Sequence, residues 1–454
     1  MNVFATGVRV HVVGIGGAGM SGLARLLVEA GAIVSGSDLA DSSSLEALRS
    51  SGVRVALGHD ALNARDADVV LWSPAVASDN VELVAARAGG ALLLSRAEVL
   101  AELARARPVI GLTGTHGKTT ATSMMVHVMA AARRDAGRLL GAEVLGVGAN
   151  GHWGSGDVVV EVDESYGTFA LMSPSALGLL NVEPDHLDHY GTLAALESAF
   201  AQLIERTSGP VVFWSDDEGG RRVATITSRE VLRVGTGARD TWRVRDVAVT
   251  RHDAAFTLSG PDGEWRLTLR LTGVHNVADA AVVAVLAFQL GLSAEAIETG
   301  LANFVGAPRR FDLLGSWRGV DVYESYAHLP GEIAAILSAT RAAGFERITA
   351  VFQPHRVTRT LALADDFAPS FDLATTVIVT DIYTAGEENP SGVTGEVIAE
   401  AIVRRGAGVA TTYCASTGDV ADVLEGVRED SDVVVLLGAG DVASVAATLR
   451  GMRR

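Results

Sequence analysis

Apolar and polar positions follow two patterns along the chain. One is short unbroken apolar runs that end in glycine or acid, and the other is longer stretches in which Ala, Leu, Glu and Arg recur at helical spacing. The first block has apolar runs at 8–13, 33–37, 69–72 and 91–94, separated by helical stretches that begin with 20–30. Strand and helix in regular alternation predict a parallel, doubly wound sheet. A second block opens with a strand at 109–113 and a helix at 118–132. Its strand at 158–162 ends among Glu161, Asp163 and Glu164, and the alternation at 266–271 predicts antiparallel strands within 242–271. Helices follow at 276–290 and 294–303. The third block alternates again, with strands at 320–323, 348–352, 376–380 and 433–437 and a helix at 330–343. Proline breaks the pattern at Pro108 and Pro308, which divides the chain into 1–107, 108–307 and 308–454. The expected fold is α/β in three domains: an N-terminal Rossmann-like domain, a central phosphate-loop ATPase domain and a C-terminal Rossmann-like domain.

At 454 residues the chain exceeds what one core serves. Hydrophobic residues make up 48% and charged ones 20%, a globular composition, while a mean hydropathy of +0.28 raises the question of a membrane. The most apolar stretch, at 280–290, is shorter than the roughly 18 apolar residues a spanning helix needs. Residues 8–13 lead straight into a glycine turn, without the basic, apolar and cleavage regions of a secretory leader. The expected location is the cytoplasm, and the single cysteine, Cys414, fits a reducing compartment as a small apolar filler. A net charge of −17 opposes binding to a nucleic-acid backbone, so an anionic substrate must be held by local groups.

One position stands out among the 37 basic residues. All are arginine except Lys118, in Thr113-Gly114-Thr115-His116-Gly117-Lys118-Thr119-Thr120. A strand-to-helix turn turns its N–H groups toward an anion, a lysine neutralises the terminal phosphates, and a hydroxyl such as that of Thr119 holds magnesium. The match to the usual phosphate-loop pattern is incomplete, since Leu112 stands where its first glycine would be. A second glycine turn, Gly14-Ile15-Gly16-Gly17-Ala18-Gly19 with Asp38 beyond it, satisfies the dinucleotide fingerprint. It fits NAD, a UDP-linked sugar or a purely structural tight turn. Glu161 at a strand end and His186 in Pro184-Asp185-His186-Leu187-Asp188-His189-Tyr190 offer metal ligands. Taken alone, His189 reads as a surface turn.

Together these segments resemble the Mur ligases of peptidoglycan synthesis. Further matching stretches are Ser35-Gly36-Ser37-Asp38, Glu161-Val162-Asp163-Glu164-Ser165, Gly273-Val274-His275-Asn276-Val277, Arg309-Arg310-Phe311, Tyr326-Ala327-His328, Phe352-Gln353-Pro354-His355-Arg356, Ala385-Gly386-Glu387 and Gly438-Ala439-Gly440-Asp441. The resemblance is strongest to the branch that joins L-alanine to UDP-N-acetylmuramate. It implies an ATP- and magnesium-dependent amide ligase working through an acyl phosphate, as a monomer or homodimer, on small molecules, with neither nucleic acid nor membrane as partner. By the same resemblance, Gly14, Gly16, Gly17, Ala18, Gly19 and Asp38 would bind the UDP-sugar. Gly114, Thr115, His116, Gly117, Lys118, Thr119 and Thr120 would bind the ATP phosphates. Lys118, Glu161 and His186 would carry catalysis, with Thr119, Glu161 and His186 as metal ligands. His275 and Asn276 would serve the adenine region, Arg310 the nucleotide phosphates, and His328, His355, Arg356 and Arg359 the amino-acid side.

The chain departs from the family at three places. Glu324-Ser325-Tyr326-Ala327-His328-Leu329-Pro330 stands where the family reads Asp-Asp-Tyr-(Ala/Gly)-His-His-Pro, Asp279 replaces an asparagine, and Tyr166 an aspartate. These changes keep open a paralogue with another carboxylate or amine, and a nucleotide-binding protein that has lost ligation. An NAD-dependent oxidoreductase rests on the glycine fingerprint alone and leaves the Lys118 loop without a task.

Overall fold

The first sheet is five-stranded and parallel, in the spatial order Arg54–Leu57, Ile33–Asp38, Arg9–Val13, Val69–Trp72, Leu92–Ser95. The chain reverses direction of winding at Arg9–Val13, so the loops at its carboxyl end open a crevice, the usual ligand position in such sheets. This computed structural model describes residues 2–73, 76–449 and 452–453. The expected central runs became strands because they are buried on both faces, with Val10, Val12, Val69 and Leu71 on one face and Val13 and Val70 on the other. The strand Arg54–Leu57 was not anticipated, because it is a half-exposed edge with no apolar run to mark it.

The second sheet has ten strands. At its centre Val109–Thr113 lies between Ala176–Leu179 and Val158–Val162, parallel to both. Beyond Ala176–Leu179 come Val211–Trp214, Leu232–Gly235 and then Trp242–Val249, Ala254–Gly260 and Gly263–Leu269, which fall in the stretch where antiparallel strands are expected. The helix Lys118–Ala131 leaves the central strand directly, and 11 of its residues are buried. It is therefore enclosed on nearly every side, with Met124, Met125, Val128 and Met129 in its apolar packing and Thr119, Thr120, Thr122, Ser123 and His127 as buried polar groups.

These two sheets share one apolar core, in which Leu23, Leu27 and Val99 join Leu139, Val160 and Phe213. Backbones meet where side chains are absent: a methyl group on Gly151 would overlap the carbonyl oxygen of Gly22. Asn150 donates to Ala18 O at 2.9 Å and to Ser21 Oγ at 3.2 Å, and Phe4 stacks on Trp153 with centroids 5.2 Å apart. By backbone proximity the chain forms two compact units. One comprises 1–247, 255–269 and 276–305, and the other 248–254, 270–275 and 306–454.

The second unit carries a seven-stranded sheet in the order Ala410–Tyr413, Thr376–Val379, Ile348–Phe352, Val433–Leu437, Val320–Ser325, Arg310–Trp317, Met452–Arg453. Its first five strands are parallel, whereas Arg310–Trp317 pairs antiparallel with Val320–Ser325. The expected Rossmann-like unit is thus a mixed sheet, extended by a hairpin that residue alternation did not reveal. No described helix is long and apolar enough to cross a membrane.

Candidate functional site

The Lys118 loop is shaped by two glycines with positive φ. Gly114 has φ +145° and lies so close to the Asn181 backbone that a Cβ would come within 3.0 Å of it, while Gly117 has φ +78° and faces the Asp279 carboxylate. The neighbouring strand's loop fixes the turn: Asn181 Oδ1 accepts from His116 N at 2.7 Å, and Thr115 Oγ1 donates to Glu183 O at 3.2 Å. Lys118 begins the helix. Its ammonium donates to Gly114 O at 2.8 Å, to Thr115 O at 3.1 Å and to both carboxylate oxygens of Glu164 at 3.0 and 2.9 Å.

Glu164 is fully buried, and Asp163 lies 4.0 Å from the same ammonium. Burial works against the Lys118 charge, yet Glu164 and then Asp163 hold its pKa above the ordinary value. Burial, with Asp163 beside it, pushes Glu164 up against the pull of Lys118. For Asp163 burial is outweighed by Lys118 and Arg96, which hold it down at about 2. Thr119 Oγ1 donates to Glu161 Oε1 at 3.0 Å, and Gly141 N to Glu161 Oε2 at 2.9 Å. Glu161 and Thr119 are therefore brought together as expected. His186, with φ +50°, is instead grouped with Asp163 and Glu164, their ligand atoms within 4.8 Å of one another. His189 packs edge-on against Tyr190 at the surface, as expected, but it lies in the short helix Leu187–Tyr190 and not in a turn.

Oxygen-rich groups thus flank the lysine on two sides, a donor set suited to a hard divalent ion. Asp163 and Glu164 were visible in the sequence only as acids after a strand. Their burial beside Lys118 is a tertiary property, and Arg96, 3.8 Å from Asp163, gave no signal at all.

The first glycine turn lines a cleft of about 680 Å³ with Gly14, Gly16, Gly17, Asp38, His59 and Ser73. Asp38 accepts from Gly16 N at 2.8 Å and from Leu39 N at 2.8 Å, which fixes the turn. Gly19 lies against Arg96, and Ala18 opens the helix Ala18–Glu29. Under the cleft, buried Glu82 accepts from Ser37 Oγ at 2.5 Å and Asn63 Nδ2 at 2.6 Å and pairs with His59 Nδ1 at 3.1 Å.

The second unit brings the other expected residues together. His328 Nδ1 is 2.9 Å from Tyr326 O, its ring is 5.6 Å from that of His355, and His355 lies 3.4 Å from Arg359 Nη1 and stacks on Tyr383. Burial, reinforced by His328 and the arginines around it, lowers the His355 pKa to about 3. Arg356, with φ +72°, reaches Glu387 at 3.7 Å. Arg310 lies over the Tyr326 ring at 5.0 Å, and Arg309 lies over the same ring at 4.9 Å while bonding Glu324 at 2.6 Å. Ser325 and Leu329 are both buried. His275, its pKa lowered to about 4 by burial, ends the segment 270–275 of the second unit. Asn276 opens the segment 276–305 of the first, and Tyr166 is an exposed residue in left-handed backbone.

Fold and site define a three-domain α/β protein built around a lysine-bearing phosphate loop, a class that handles nucleotide phosphates. Family models match in order along the chain: the Mur ligase family catalytic domain at 9–108, the Mur ligase middle domain at 112–287, and the Mur ligase glutamate ligase domain at 309–440. The chain belongs to the Mur ligase family. It is 42% identical over 452 residues to a UDP-N-acetylmuramate–L-alanine ligase of Thermobifida fusca, covering 96% of this chain and 95% of that one. A protein of the same name from Brucella anthropi is 39% identical, with 97% and 96% covered. Among solved structures, a UDP-N-acetylmuramate–alanine ligase of Thermotoga maritima superposes with a TM-score of 0.80 at 28% identity, covering 96% of this chain and 97% of that one.

Proposed function

We propose that the protein is an ATP- and magnesium-dependent ligase that joins L-alanine to UDP-N-acetylmuramate in the cytoplasm, as a step of peptidoglycan synthesis. The observation that carries this reading is likeness along almost the entire chain to ligases of that name. In the proposed division of labour, 1–107 hold the UDP-sugar at Gly14, Gly16, Gly17, Ala18, Gly19 and Asp38, and 108–307 hold ATP. Residues 308–454 present the amino acid, with His328, His355, Arg356 and Arg359 on that side and Arg310 reaching the nucleotide phosphates.

A free carboxylate is a poor acyl donor. Its oxygen attacks the γ-phosphorus of ATP, forming an O–P bond as ADP leaves. The amine then attacks the acyl carbon, phosphate departs, and the new ammonium loses a proton to give the amide. Lys118 supplies a compact positive charge to the transferring phosphoryl group, exchanging its contact with Glu164 for phosphate oxygens. Magnesium, when bound, would neutralise phosphate charge, and Thr119, Glu161 and His186 are the residues to hold it, with Asp163 and Glu164 beside His186. Most of the remaining rate comes from holding the carboxylate in line.

A second reading, a paralogue acting on another amine, is favoured by Ser325, Leu329 and Asp279. The first two are buried in the second unit near His328, and Asp279 lies against Gly117. One experiment decides between them. The protein is incubated with ATP, magnesium, UDP-N-acetylmuramate and each amino acid in turn, and any amide is identified by mass. Product with alanine is expected. Product with a different amino acid alone establishes the second reading, and no amide with any of them sinks both.

A further inference from the structure

Arg96 is the first residue of the helix Arg96–Ala106, directly after the Ser95 cap, so its side chain leaves the carboxyl end of the first sheet. Its guanidinium packs over Gly19, where a methyl group would come within 2.8 Å of Cζ. A side chain at position 19 would therefore expel it. Nη1 lies 3.8 Å from Asp163 Oδ2, a long contact, and Nε is buried without a hydrogen-bond partner. The side chain is 19% exposed. One cation thus spans from the glycine turn of the first sheet to the acids beside the phosphate loop of the second.

That position matters for the reading given above, on which this inference rests. A sugar acid with its diphosphate at the glycine turn must reach toward Lys118 with its carboxylate. Lys118 is already held by Glu164 through two short bonds, and Asp163 and Glu164 repel a second anion. Arg96 retains free donors in a rigid fork that matches a carboxylate edge-on.

We propose that Arg96 binds the carboxylate of the UDP-linked sugar acid and so fixes the oxygen that attacks ATP, making it a specificity-determining residue. Asp163 serves as the anchor that orients the guanidinium, and Gly19 as the space that admits it.

The test compares two nucleotide sugars by calorimetry on the full chain, without ATP. UDP-N-acetylmuramate carries the carboxylate, and UDP-N-acetylglucosamine does not. The unaltered protein should prefer the acid by roughly tenfold or more, the scale of a charge-assisted hydrogen bond. Arg96→Gln should abolish the preference while changing affinity for UDP-N-acetylglucosamine less than about threefold, and Arg96→Lys should restore part of it; thermal midpoints report folding of each variant. A preference that survives in Arg96→Gln, or an equal loss for both sugars, overturns the assignment while alanine ligation by the unaltered protein stands. Absence of any preference in the unaltered protein also overturns it, and absence of amide formation there indicts the ligase reading itself.

Discussion

Lys118 shows what a single ammonium can do that an arginine cannot. Four oxygens within 3.1 Å hold it, two from its own loop and two from Glu164. A planar guanidinium is too broad for that seat and would direct its charge elsewhere. Lys118→Arg should still fold, with a lowered thermal midpoint because buried Glu164 loses its close partner, and should lose on the order of a hundredfold or more of phosphate release. Near-normal turnover in that variant would remove the argument for the loop. The sequence made this residue conspicuous by scarcity and by the Gly-Lys-Thr pattern. It made Glu161 and His186 plausible by type. It could not disclose that His186 sits with Asp163 and Glu164, because that grouping depends on a left-handed turn at His186 and on burial supplied by distant strands.

At the scale of elements, several strands were legible where they are buried on both faces, since an unbroken apolar run favours a strand, although the buried strands Ala176–Leu179 and Val211–Trp214 were not anticipated. The half-exposed edges Arg54–Leu57 and Ala410–Tyr413 and the hairpin strand Arg310–Trp317 were not, because each presents a mixed pattern that a loop could equally show. The closest approach between elements was also hidden. Gly151 meets the backbone of helix Ala18–Glu29 at Gly22, and neither glycine lies in a recognisable turn motif. Gly151→Ala should force the two sheets of the first unit apart and cost about 1–3 kcal/mol, the usual range for overpacking. Calorimetric melting checks this, with Gly89→Ala as comparison. A methyl group at Gly89 meets nothing within 4 Å, and that variant should melt within a degree or two of the original. Equal melting of both variants would show that the contact yields without cost.

Over the whole molecule, acids outnumber bases by 17, so repulsion between like charges is a standing feature and any buried carboxylate needs local support. Glu82 has it. Burial opposes its charge, but His11, 3.6 Å away, and hydrogen bonds from Ser37 and Asn63 bring its pKa from an ordinary 4.5 to about 2. A folded-state value below the unfolded one means that the stabilisation is complete above about pH 4.5 and is lost as pH falls toward 2. Denaturant midpoints measured from pH 6 to pH 2 should fall across that window, and Glu82→Gln should fall less steeply while starting lower. Parallel curves would exclude this contribution. Three α/β domains were legible from the alternation of strands and helices. The pooling of the first two sheets into one core was not, since it arises from contacts such as Leu23 with the second sheet's interior, not from any local pattern.

The scarcity of lysine has a practical corollary. A reagent that acylates aliphatic amines finds one ε-nitrogen in the folded chain, and it is held by Glu164 and two carbonyls at the centre of the nucleotide loop. Chemical modification of side-chain amines therefore cannot be spread over this surface. It either touches the phosphate seat or leaves the side chains unmarked, so the extent of labelling is a direct gauge of how far that seat has opened.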